Sequence, residues 1–239
     1  MTACIEVVFN LPVNRGFLYL YPDTETDPTG RRVKAPLGRR TLTGCVVNCF
    51  PDNPEPDLEL KPIDKFIDKE PIIGRELIEL AEWMSRLYLC SLGEALSSCL
   101  PGGIRETAAE MPDFFPEDPS GPVIPSVFQR EAVKTILSGD DGWFYLYGVT
   151  GSGKTEVFLT CAEQVLKEGK SVIYLVPEIA LTHQVLNTIQ QRFGSRAAVI
   201  HSSLTPSRKL AEWQRIRRGE ATIIIGARSA VFAPVASLG

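Results

Sequence analysis

The sequence has no stretch approaching the roughly 18 consecutive apolar residues that a membrane-spanning helix needs. Its opening, MTACIEVVFN, also lacks the basic segment and apolar run of a secretory leader. A cytoplasmic address with no membrane partner is therefore the expectation. Histidine is scarce, with only His183 and His201. The six cysteines (Cys4, Cys45, Cys49, Cys90, Cys99, Cys161) are scattered through a chain too long to need covalent staples. Cys45 and Cys49 could form half of a metal site, but no second pair stands at ligand spacing, so ordinary reduced thiols are expected. Positive charge is not in excess either: 25 Lys and Arg against 29 Asp and Glu leave a net charge of −4. That balance argues against wholesale electrostatic coating of nucleic acid and leaves room for a local basic patch. No internal repeat or low-complexity segment is present.

What is there divides in two. With 239 residues, 44% of them hydrophobic, the chain can bury one large core or two ordinary ones. Over residues 2–50 the pattern is one of short β-type runs, CIEVVF, GFLYLY, RRVKAP and LTGCVVNCF, separated by turn-rich stretches. A small barrel-like β domain is predicted. Leu77, Leu80, Ala81, Met84, Leu87 and Tyr88 then recur at helical spacing, and a second short helix is expected near 91–99. MPDFFPEDPSGPVIP, at 111–125, carries five prolines and reads as a linker. Beyond it, apolar runs (WFYLY, SVIYLV, AAVI, ATIIIG) alternate with helical segments, including one from Lys154 to about 168. That alternation predicts buried parallel strands covered by helices. The expected organisation is a β-rich domain over 1–104, a linker over 105–125 and an α/β domain over 126–239.

The most specific local signal is YGVTGSGKTEV at 147–157, which satisfies G-x-x-x-x-G-K-[ST] with Gly148, Gly153, Lys154 and Thr155. An apolar run precedes it and a helical segment follows. Gly148, Gly151 and Gly153 let the backbone turn so that amides of Val149, Thr150, Ser152 and Glu156 face phosphate oxygens at a helix N-terminus. Lys154 would reach the β and γ phosphates and Thr155 would place its hydroxyl on magnesium. The loop does not see the base. Gln129, nineteen residues before Gly148, has an amide able to pair with both edges of adenine, although a solvent-facing helical glutamine explains it as well. ATP with Mg2+ is the cofactor expected. In the first half, GRRVKAPLGRR holds Arg31, Arg32, Lys34, Arg39 and Arg40 with no acid among them, a candidate surface for DNA phosphates.

Three separated blocks, GVTGSGKTEV, LVPEIALTHQ (175–184) and HSSLTPSRKLAEWQRIRRGEATIIIGARSAVFAP (201–234), resemble the first motor domain of superfamily 2 DNA helicases, and among them the PriA (primosomal protein N′) family of replication-restart helicases. LPVNRGFLYLYP, RRVKAPLGRR and LELKPIDKFIDKEPI are similar to that family's 3′ DNA-binding domain. The resemblance implies an incomplete RecA-like motor after the β domain and a terminal-nucleotide pocket at Phe17, Gly38 and Lys61. It also implies a grip on the backbone of single-stranded DNA by Thr182, Gln184, Arg228 and Ser229. These side chains suit such roles: an aromatic face stacks a base, and neutral donors with one cation hold phosphates without reading sequence.

The chain departs from the family in two places. Leu18 stands where members carry an aspartate able to accept from a 3′ hydroxyl, and no room exists between the two halves for a winged-helix domain. The resemblance further implies that the sequence stops short of the Asp-Glu-Glu-His box and of a second motor domain with its zinc-binding region. On that expectation it is a fragment that binds nucleotide and DNA without hydrolysis or unwinding. The implied partners are DNA (forks, single strands, 3′ ends), single-stranded DNA-binding protein and primosome loaders, in the nucleoid-associated cytoplasm of a bacterium. The alternative is a DNA-binding module with no motor role. A small-molecule kinase is disfavoured because no acceptor site or arginine-bearing lid follows the loop.

Overall fold

The computed structural model describes residues 2–22, 27–101, 125–139, 142–177, 183–202 and 204–239. The proline-rich segment read as a linker lies outside these residues except for Pro125. Two compact units are present, Met1–Ala109 with Ser203–Gln214, and Glu110–Ser202 with Arg215–Gly239. None of the described helices is long and apolar enough to cross a membrane.

In the first unit the alternating runs become strands β1 (Thr2–Phe9), β2 (Phe17–Pro22), β3 (Arg32–Leu37) and β4 (Arg40–Phe50). Two further strands of two residues each, β5 (Lys61–Pro62) and β6 (Lys65–Phe66), complete a sheet of order β5-β2-β1-β4-β3-β6. The short run from Lys61 to Phe66 therefore supplies both edge strands, beside β2 and beside β3. Tyr19 Oη donates to Pro36 O at 2.9 Å and ties β2 to β3 across the curl, giving a half-barrel. Ile5, Val7, Phe9, Tyr19, Tyr21, Val33, Ala35 and Val46 fill its inside, as period-two alternation requires.

A register shift between Glu6 and Val7 leaves Val47 as the extra residue of a bulge in β4. One consequence concerns the cysteines: Cys45 pairs with Val8 and Cys49 with Ile5, which point to opposite faces. Cys45 and Cys49 therefore cannot act as one metal half-site.

Helix α1 (Arg75–Tyr88) forms as its periodicity predicts, but buries Ile78 and Ala81, while Leu80, Leu87 and Tyr88 are exposed. Helix α2 (Leu92–Cys99) begins in a capping box between Ser91 and Glu94. It lies so close to β1 that a Cβ at Gly93 would collide with the Phe9 carbonyl.

In the second unit α3 (Val127–Ser138) precedes the phosphate loop and α4 (Lys154–Lys167) follows it. Strands β7 (Val172–Leu175), β8 (Ala197–Ile200) and β9 (Ile223–Gly226) form a parallel sheet of order β7-β9-β8. The connections carry α5 (His183–Phe193) and α6 (Pro206–Arg217), the latter shared between the two units. Central β9 is buried on both faces. Ile223 and Ile225 pack with Leu159, Leu166, Ile189 and Phe193, and Ile224 packs with Ile216, Ala230 and Ala233. This is the pattern expected of a continuous apolar parallel strand.

The run WFYLY departs from expectation. Residues 143–147 pair with no strand among the described residues, and Trp143, Tyr145 and Tyr147 are 104%, 89% and 83% exposed. An apolar β run becomes a strand only beside a neighbour that takes its N–H and C=O groups. Among the described residues, the edge of β7 away from β9 is met only at its start, where Ser171 bridges Leu238.

Candidate nucleotide and nucleic-acid sites

The phosphate loop owes its shape to two glycines in left-handed conformation, Gly151 (φ 81°) and Gly153 (φ 79°), which a side chain would strain. Gly153 caps α4, so the first-turn amides of that helix other than that of Glu156 open onto the loop. Lys154 folds back across it, with Nζ donating to Gly148 O at 2.7 Å and Val149 O at 2.9 Å. The ammonium thus lies over the concave side of the loop, on backbone carbonyls that an anionic ligand would replace. Val149, Thr150, Gly151, Ser152 and Thr155 are exposed. Amides, one ammonium and one hydroxyl make a donor set with no acid pointing inward. It fits a magnesium-bound triphosphate and would hold it through Lys154, Thr155 and the loop amides.

Gln129 sits against this loop. Its Oε1 accepts from Ser126 N at 2.7 Å in a capping box, and its Nε2 donates to Ser152 O at 3.1 Å. A Cβ on Gly153 would strike that same Nε2. The solvent-facing alternative is therefore set aside: the amide braces the loop. It retains one more N–H and one more lone pair for a base edge.

Glu156 follows Thr155, and its half-buried side chain is turned to Arg192. Arg192 of α5 takes both its oxygens, Nη1 lying 2.8 Å from Oε1 and 2.8 Å from Oε2, and donates through Nε to Glu163 Oε1 at 2.6 Å. The Glu163 hydrogen bond raises the Arg192 pKa, and the same bond lowers that of Glu163. Nothing in the sequence marks Arg192, which lies 36 residues from Glu156. The backbone N–H of Glu156 donates to Gly153 O at 3.0 Å, within the helix.

Among the motor-type DNA residues, Arg228 and Ser229 are exposed in a 3-10 turn, Arg228–Phe232, that follows the end of β9. Thr182 and the side chain of Gln184 lie outside the described residues.

In the first unit, β1 and β3 run one way and β2, β4 and β5 the other. The start of β2 (Phe17), the β3–β4 turn (Gly38, φ 61°) and the start of β5 (Lys61) consequently share one end of the half-barrel. Phe17 is half-buried, edge-on to Phe9 at 5.6 Å, with the Arg15 guanidinium 5.2 Å from its ring centroid. Leu18 points to the other face, directly opposite Glu6 of β1.

The basic cluster does not act as one surface. Arg39 and Arg40 are exposed at the turn, and Lys34 is half-buried. Arg31 lies over the Phe66 ring at 3.8 Å and donates to Asp68 O. Arg32 is 6% exposed and forms an ion pair with Asp68 at 2.7 Å, and it donates to Pro101 O at 3.2 Å. Its strand register, opposite buried Cys45, turns it to the face of the sheet away from the half-barrel core, where Asp68 and Pro101 O take it, which corrects its place in the phosphate-binding set.

A phosphate-loop motif heading an α/β unit, in a chain that also holds a half-barrel with exposed cations at one end, is the arrangement of a protein of the phosphate-loop class. Two family models agree: a 3′ DNA-binding domain matches residues 6–101, and a DEAD/DEAH box helicase domain matches residues 126–236. The chain is 44% identical over 248 aligned residues to replication restart protein PriA of Treponema pallidum (strain Nichols), covering 100% of this chain and 38% of that protein. PriA of Bacillus subtilis (strain 168) is 51% identical over 106 residues, 44% of this chain and 13% of that protein. PriA of Rickettsia felis is 33% identical over 223 residues, 92% of this chain and 34% of that protein. The chain belongs to the PriA family of replication restart proteins. It spans between 13% and 38% of the length of these three relatives.

Proposed function

We propose that the protein acts as an ATP-dependent 3′-to-5′ DNA helicase that recognises stalled or branched forks and starts primosome assembly in the bacterial cytoplasm, at the nucleoid. Lys154, poised over the loop at the head of α4, carries the nucleotide half of this reading. Lys154 and Thr155 would hold a triphosphate and its Mg2+, which would supply charge neutralisation when bound. Gly148 to Thr155, with the backbone but not the carboxylate of Glu156, form the cradle, and Gln129 supports it and reads adenine. Arg228 and Ser229, with Thr182 and Gln184, hold the DNA backbone. Phe17, Gly38 and Lys61 hold a strand end, and Arg31, Lys34, Arg39 and Arg40 hold phosphates. Single-stranded DNA-binding protein and primosome loaders are the proposed protein partners, and zinc belongs to the rest of the relatives' length.

For the 239-residue chain itself we propose binding without turnover, since the sequence contains no Asp-Glu-Glu-His box to organise magnesium and water. Fluorescence anisotropy on single-stranded and forked DNA, with and without Mg-ATP, tests the whole reading. Nucleotide should change DNA affinity, and Lys154→Ala should remove that effect and match the wild type in ATPase background. If ATP leaves affinity unchanged and residues 105–239 can be deleted without loss, the chain is a DNA-binding module and the motor reading fails. Robust DNA-stimulated hydrolysis by the chain would overturn the proposal of binding without turnover.

A further inference from the structure

Helix α4 opens Lys154-Thr155-Glu156, so an acid directly follows the loop threonine. The first turn of a helix favours any anion. A carboxylate there competes with phosphate for the same amides and adds like-charge repulsion. Glu156, Thr160 and Glu163 follow one another at helical spacing on one face of α4. A single guanidinium gathers all three, because Arg192 contacts both Glu156 oxygens, Glu163 Oε1 and, through Nη2 at 3.3 Å, Thr160 Oγ1. Thr160 Oγ1 also donates to Glu156 Oε1 at 3.2 Å, which draws the carboxylate toward the second turn and away from the loop. The Arg192 and Glu156 side chains are 21% and 20% exposed, so water is a poor substitute for either partner.

We propose that Arg192 is a positioning residue of the nucleotide site. It neutralises Glu156 and turns it from the phosphate cradle, leaving the head of α4 open to an anionic ligand of the nucleoside-triphosphate class. This rests on the phosphate-loop reading given above. Arg192 touches no ligand in this scheme, and it acts through Glu156.

The test is a rescue, read as the affinity of the 239-residue chain for a fluorescent ATP analogue with magnesium. Arg192→Ala should weaken binding about fivefold. The double variant Arg192→Ala with Glu156→Gln should bind within about twofold of Glu156→Gln alone. Its melting temperature should nonetheless stay below wild type, because Glu163 still lacks its partner. A merely structural Arg192 would leave affinity and stability falling together, with no recovery of affinity. Unchanged binding in Arg192→Ala, or failure of Glu156→Gln to restore it, overturns the proposal. Should Arg192→Ala not fold, Arg192→Gln carries the same test, with the same loss and the same rescue expected. If the wild type takes up no Mg-nucleotide, the phosphate-loop reading itself falls and this inference with it. Normal uptake with indifferent Arg192 variants sinks only the inference.

Discussion

Gln129 Nε2 donates to Ser152 O at 3.1 Å, so the N3 residue of α3 holds the crown of the phosphate loop. The same amide accepts from Ser126 N, which makes it both a helix cap and a brace. Gln129→Glu separates these duties. A carboxylate keeps the acceptor of the capping box but loses the N–H that reaches Ser152 and the N–H available to adenine. Helix stability should change little, whereas ATP affinity should fall by about five- to tenfold, the worth of one or two hydrogen bonds. Parallel titrations with ATP and GTP divide that loss: the bracing part appears with both, and base reading with ATP alone. An unchanged ATP affinity would show that neither contact matters to the bound state.

Arg32 and the pair Arg39–Arg40 were indistinguishable as charges in the sequence, and the fold gives them different work. Arg32 and Asp68 are each 7% exposed in their side chains and hold one another at 2.7 Å. Arg32→Ala should destabilise the first unit by about 3–5 kcal/mol by leaving Asp68 buried without its partner. Arg39→Ala with Arg40→Ala should leave unfolding unchanged, weaken DNA binding, and lower the slope of log K against log salt by about one for each DNA phosphate no longer neutralised. Urea denaturation and salt-titrated anisotropy read the two effects. A stable Arg32→Ala that binds DNA poorly would reverse the assignment.

This contrast marks where the sequence was legible. Strands β1 to β4 announce themselves by alternation, and α4 by the loop motif before it, because these signals are local. Strands β5 and β6 have two residues each and no pattern, since register against β2 and β3 defines them. The pairing of Arg32 with Asp68 and of Arg192 with Glu156 spans 36 residues in each case, beyond any periodicity. Apolar character alone suggested a strand at WFYLY. Without a neighbouring strand among the described residues, that character appears as exposed aromatic rings. For α1 the spacing gave the helix and misjudged its face, because Leu80, Leu87 and Tyr88 continue the stripe beyond the part that is buried, Ile78 and Ala81.

Burial raises the pKa of the Cys45 thiol from 9.0 to about 12, with the Asp68 charge adding to the rise and Arg32 opposing it. A folded-state pKa above the unfolded value stabilises the fold fully below pH 9 and is lost as pH climbs toward 12. The slope approaches about 1.4 kcal/mol per pH unit, one proton's worth. Cys45→Ala removes this proton and no other. Urea unfolding of both proteins at pH 8, 9.5 and 10.5 should show wild type losing stability relative to the variant as pH rises. Parallel curves would mean that the thiol ionises as freely folded as unfolded. Iodoacetamide at pH 8 should likewise spare buried Cys45 and modify the half-buried Cys49 and Cys90 first.

Leu18 follows Phe17 in β2, and its cross-strand neighbour decides which substitution there is informative. Leu18 lies directly opposite Glu6, whose Oε2 accepts from Asn48 Nδ2 at 2.6 Å. An aspartate at position 18 would set two carboxylates face to face, a cost of about 0.5–1 kcal/mol at neutral pH. Loss of DNA binding in Leu18→Asp would therefore confound repulsion within the sheet with recognition of the strand end. Leu18→Asn avoids this, since its amide accepts a hydrogen bond without adding charge. Wild type should discriminate little between duplexes ending in a free 3′ hydroxyl and a 3′ phosphate, while Leu18→Asn should shift preference toward the hydroxyl. Leu18→Asp should shift the same way, with a lower melting temperature than Leu18→Asn. If wild type already favours the hydroxyl end strongly, selection is made elsewhere at that end of the half-barrel, and the side chain at position 18 is not what limits it.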